Sequence, residues 1–171
     1  MLNPQRFLFD SDRPLWRYCL FSAPLALFPS IALTAGVCFL LNLFGVNVEA
    51  FLPHGLEPTL SGLFGTVVFA PVVETLFLSW TLSVFMSLGK GRTFAAVSAA
   101  VLWGLIHALG GLLWFFGTVW SFFVFSAAYL TWRPTSFKHA FFASAITHAA
   151  VNLIAMIWVI SASNSLPLKT L

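Results

Sequence analysis

The stretch Ser61–Leu88, SGLFGTVVFAPVVETLFLSWTLSVFMSL, holds one ionisable side chain, Glu74, in 28 residues. At about 1.5 Å of rise per residue, a helix of that length exceeds the ~30 Å hydrocarbon layer of a bilayer. Nothing else in the chain offers it a water-facing coat. Of 171 residues, 60% are hydrophobic and 8% charged, whereas about a quarter of a soluble domain is charged. The chain therefore reads as an integral membrane protein. Lipid offers the backbone no hydrogen bonds, so a spanning segment must bond internally as a helix or close into a barrel. The two-residue alternation of a barrel strand is absent, and the fold class is all-α.

Working outward, four more apolar segments are long enough to be spans: residues 18–44, interrupted by Pro24 and Pro29, then 93–109, 112–132 and 137–160. Gly89, Lys90, Gly91 and Arg92 break the chain after the deciding stretch, Gly110 and Gly111 allow a tight turn, and Glu49, Pro53, His54, Glu57 and Pro58 mark a loop. The expectation is a polytopic transmembrane helical bundle of about five helices, forming one integral membrane domain over residues 1–171. The first apolar run far exceeds a signal-peptide core of about 7–15 residues and reads as a retained span. The 20 Phe and 7 Trp suit a lipid-facing exterior with interfacial anchors.

Arg6, Arg13, Arg17, Lys90, Arg92, Arg133 and Lys138 share one side of this arrangement, and the other side has only Lys169, with Glu49 and Glu57. The positive-inside rule then gives an N-in, C-out protein of the cytoplasmic membrane. The net charge of +3 is thereby read as topology, and a nucleic-acid partner is not expected. Cys19 and Cys38 lie about 19 residues apart on one helix, too far to pair.

Chemistry is expected where polarity enters the apolar layer. Glu74 is the one acid within the spans, and His107, His148 and Asn152 are the strongly polar side chains of the others. A lone carboxyl in the bilayer costs about 2.5–3.5 kcal/mol on insertion scales, so partners are expected. Glu74 lies 14 residues before Leu88, His107 lies 14 after Thr93, and Asn152 lies 14 after Lys138. Each is therefore about 21 Å from the side that holds the basic residues. His148, four residues before Asn152, shares its helix face one turn shallower. A single hydroxyl in a span more often fixes packing: Thr75, Ser79, Ser83 and Ser87, and likewise Ala96, Ala100, Gly104 and Ala108, read as small-residue stripes. His54 and His139 are placed in loops. The sequence lacks HExxH, GxSxG and GxGD, has no second intramembrane acid, and keeps both cysteines off the cluster-bearing helices.

Pro71-Val-Val-Glu74-Thr75-Leu-Phe-Leu-Ser79, then Trp103-Gly-Leu-Ile-His107, then His148-Ala-Ala-Val-Asn152 resembles the three ordered motifs, EExxxR, FxxxH and HxxxN, of the CAAX protease and bacteriocin-processing family of glutamic intramembrane endopeptidases. The family-like core covers about residues 61–160. Glu74 takes the place of the first Glu, whereas Thr75, Ser79 and Trp103 replace the second Glu, the Arg and the Phe. Thr75 and Ser79 lie on one helix face, so a charge pair there would have been exchanged as a unit for two hydroxyls.

The resemblance implies a metal-independent endopeptidase with no cofactor, acting on a membrane-associated, lipidated or precursor peptide or protein. In that reading Glu74 is general base on a water held with His107, and His148 and Asn152 donate to the oxyanion. Pro71 would free backbone carbonyls beside the site. Two alternatives stay open: a zinc or haem site using Glu74, His107 and His148, and a non-catalytic membrane immunity or scaffold protein in which the cluster is structural.

Overall fold

The computed structural model describes residues 7–52 and 59–165, with side chains to Ser161. Arg6, Pro53, His54, Glu57, Pro58 and Lys169 fall outside the described residues. Among the described residues five long helices follow in order: α1 Leu15–Leu43, α2 Leu60–Ser87, α3 Arg92–Ala108, α4 Leu112–Trp132 and α5 Phe137–Ser165. A short 3-10 turn, Val48–Phe51, follows α1, and no strand occurs among the described residues. Helices α1, α2, α4 and α5 are each long and apolar enough to cross a membrane. Helix α3 is apolar with 17 residues and reaches about 25 Å. The protein is a multi-pass membrane bundle.

Local chemistry sets the boundaries. Thr59 caps α2 by accepting the Gly62 N–H at 3.0 Å, and Ser136 caps α5 by accepting the His139 N–H at 3.1 Å. His139 therefore belongs to the first turn of α5 rather than to a loop, and its ring stacks on Trp132. Between α3 and α4 the chain reverses at Gly111, whose φ of 148° disfavours any side chain.

The most extensive interface joins α3 to α4. Ala96, Ala100 and Gly104 are buried there, so the small-residue stripe of α3 packs as expected. The stripe on α2 does not. Only Thr75 is buried; Ser83 and Ser87 are exposed, and the hydroxyls of Ser79, Ser83 and Ser87 bond carbonyls of their own helix. Backbone carbonyls one turn away satisfy such hydroxyls without a partner helix. Nor do the aromatics all face lipid: Trp103, Phe122, Phe125 and Trp132 are buried, because the bundle interior needs large rings between helices lined by alanine.

Prolines inside α1 and α2 show how the bundle closes. An α-helical N–H bonds the carbonyl four residues back, so Pro29 leaves the Leu25 carbonyl without its donor. The indole N–H of Trp120 on α4 supplies it at 2.8 Å. Ser121 reinforces the crossing through Ser30, 2.8 Å between hydroxyl oxygens.

The five helices alternate, so Arg13, Arg17, Lys90, Arg92, Arg133 and Lys138 flank the same end of the bundle. A reporter active only outside the cytoplasm is expected to give signal when fused after Lys169 and none when fused after Lys90. The inverse pattern would reject the N-in orientation.

Candidate active site

Helix α2 packs on both α3 and α5, which brings Glu74 against the helices that carry the two intramembrane histidines. The Glu74 Oε2 atom lies 3.8 Å from Nε2 of His107 and 3.9 Å from Nε2 of His148. Both separations exceed direct hydrogen-bond length. Oε2 is itself buried and makes no hydrogen bond within the described residues. Each separation is one that a single bridging oxygen, about 2.8 Å from each member, would span. Side-chain exposure falls from 23% for Glu74 to 15% for His107 and 6% for His148, so His148 is the most deeply buried of the three.

The tautomer of His107 follows from its second nitrogen. Nδ1 sits 2.8 Å from the Trp103 carbonyl oxygen, which can only accept, so Nδ1 carries a hydrogen and donates it. In the neutral ring Nε2 then presents a lone pair toward the carboxyl. Two acceptors facing each other require a proton between them, or a molecule that donates to both.

Helix α4 supplies a wall that the sequence reading did not anticipate. Phe122 packs against both imidazoles, with its ring centroid 5.0 Å from that of His107 and 5.6 Å from that of His148. Trp103 stacks on Phe122 at 5.1 Å, Phe125 stacks on His148 at 4.4 Å, and Trp114 meets His107 edge-on at 5.4 Å. These rings fix both imidazole planes and exclude competing polar groups. Spacing on α4 carried a weak signal for them: Trp114, Phe122 and Phe125 recur on one helix face, but so do many aromatics of that helix.

Asn152 lies one turn beyond His148 and directs its amide elsewhere. Its Nδ2 donates to the Thr66 carbonyl at 2.8 Å. Glu74 and His107 meet at the level that counting residues gives, but on α5 it is His148, one turn from Asn152, that joins them. Counting measures distance along each helix and does not see the stagger between helices. The two replaced positions of the first motif also separate: Thr75 is buried with its hydroxyl unpartnered, and Ser79 donates to Leu76 at 2.7 Å, so these hydroxyls do not bond each other.

Among the described residues no group of three His, Cys, Asp or Glu side chains is arranged to hold a metal ion. Cys19 and Cys38 are free, and neither is one of the side chains that surround Glu74. Compared with known proteins, the chain matches no family profile, no curated protein and no solved structure, so its family resemblance rests on the three motifs alone.

Proposed function

We propose that this protein is a metal-independent glutamic endopeptidase of the cytoplasmic membrane of a prokaryote. It would hydrolyse a peptide bond of a membrane-associated, lipidated or precursor substrate. The observation that carries the reading is the buried Glu74 Oε2, unbonded and aimed between two imidazole nitrogens.

A water bound there donates one hydrogen toward Glu74 and one to the Nε2 lone pair of His107, which turns an oxygen lone pair toward the substrate. Glu74 takes the first proton as the water oxygen bonds to the scissile carbonyl carbon. The carbonyl oxygen becomes an oxyanion, and His148 donates to it from Nε2, held in place by its stack on Phe125. Glu74 returns its proton to the amide nitrogen as the carbon–nitrogen bond breaks. The products are a carboxyl and an amine, and the carboxylate of Glu74 is restored.

A scaffold reading has one observation in its favour: the second acid and the guanidinium of the motif are replaced by Thr75 and Ser79, whose hydroxyls reach no substrate-facing partner. A zinc site would use the same Glu74, His107 and His148. The test is to reconstitute purified chain in lipid vesicles with a pool of quenched-fluorescent apolar peptides. Cleavage is expected, unchanged by strong chelators and by added zinc. Activity lost to chelator and regained with metal would establish the zinc reading. Absence of cleavage across the pool would favour the scaffold.

A further inference from the structure

Residues Gly65–Phe69 of α2 form a π-turn. There the Ala70 N–H reaches back five residues to the Gly65 carbonyl, so the Thr66 carbonyl loses the donor it would have in an α-helix. The next candidate, five residues ahead of Thr66, is Pro71, which has no N–H. Thr66 is left with no backbone donor inside an apolar layer, where an unsatisfied carbonyl is costly. The Asn152 amide fills that vacancy at 2.8 Å. Trp120 does the same for the carbonyl released by Pro29, so the device occurs twice in one bundle.

We propose that Asn152 is a positioning residue: its amide replaces the backbone donor that the π-turn diverts from Thr66 and that Pro71 cannot supply, and it holds the π-turn whose register aims Glu74 between His107 and His148. One residue inserted in a helix rotates everything beyond it by about 100°. Glu74 follows the turn closely, so the face it presents depends on the turn remaining wound as it is. Asn152 lies on α5 one turn after His148, so a single helix both supplies an imidazole and fixes the carboxyl opposite it. The catalytic consequence rests on the reading of Glu74 as base; the capping itself does not. A role as oxyanion donor, implied by the family motif, asks the same side chain to face the substrate instead.

The two roles are separated by Pro71→Ala, which returns an N–H to position 71 and offers Thr66 a backbone donor. Asn152→Ala, Pro71→Ala and the double variant are compared with wild type as full chains in lipid nanodiscs. Three quantities are read: cleavage of the peptide pool, the thermal midpoint, and the infrared band of the Glu74 carboxyl, isolated by subtracting the Glu74→Gln spectrum. Asn152→Ala is expected to lower kcat about ten- to a hundredfold with little change in KM, as when a buried carbonyl loses its donor. It should also shift the carboxyl band and lower the midpoint. Adding Pro71→Ala should move all three back toward the values of Pro71→Ala alone.

Defects that persist undiminished in the double variant overturn the proposal. So does an Asn152→Ala chain with an unaltered carboxyl band. If wild type cleaves nothing, the reading of Glu74 as base fails, while band and midpoint still decide the capping. If Asn152→Ala does not fold, recovery of folded double variant is the same rescue. Should neither fold, deuterium exchange of the wild-type Asn152 amide decides: one protected hydrogen is expected, and two freely exchanging hydrogens overturn the proposal.

Discussion

Glu74→Gln is expected to leave the bundle folded and to lower the initial rate of peptide hydrolysis by about 10²–10⁴-fold, the range attributed to a positioned general base. Gln keeps the length and shape of the side chain, so the packing of α2 on α3 and α5 has no reason to change. Its amide can donate to the Nε2 lone pair that His107 presents, since Nδ1 of that ring is committed to Trp103. The buried polar group is therefore satisfied, and what disappears is the capacity to accept a proton from water. Helix content and thermal midpoint should match wild type, with the rate measured in vesicles at equal protein. A fall in midpoint with no catalytic difference would instead assign the cluster a structural role.

The largest structural effect is expected at Gly104. A Cβ built there would lie 3.0 Å from Cδ2 of Phe115 and 3.2 Å from Cβ of Val119, because α4 packs closely on α3 at this point. Ala asks the Phe115 ring to give by a few tenths of an ångström. Leu adds three more carbons beyond a Cβ already tight against Phe115 and Val119, and over-packing of a tight core costs about 1–3 kcal/mol. Gly104→Leu should lower the thermal midpoint clearly and Gly104→Ala far less. Trp103 and His107 flank the position on α3 while Phe122 faces them from α4, so the ring stack at the site should be displaced with it. Unchanged stability of Gly104→Leu in a detergent melt would show that the two helices do not pack as described.

The helices were legible because each is a long apolar run ended by glycine, proline or charge, and Arg92–Ala108 and Leu112–Trp132 match the expected spans closely. The meeting of Glu74, His107 and His148 was legible for a related reason. Polar side chains are scarce in the spans, and a lone carboxyl in lipid demands partners. What spacing does not encode is the stagger of one helix against another, and this is why Asn152 was placed level with Glu74 and instead bonds Thr66. The consequence of Pro71 was half legible: a freed carbonyl was expected, but which one depends on the π-turn, a choice made by packing against α5. The aromatic wall of α4 was hidden for the opposite reason, since Phe122 and Phe125 lie among rings that periodicity alone does not tell apart.

The most direct measurement follows the purified chain alone in lipid vesicles, with excess chelator present, and records the rate at which apolar quenched-fluorescent peptides are cleaved by wild type and by Glu74→Gln at equal protein. The role of Glu74 as base predicts steady cleavage by wild type and a rate about 10²–10⁴-fold lower from the variant. Equal rates from the two proteins would contradict it.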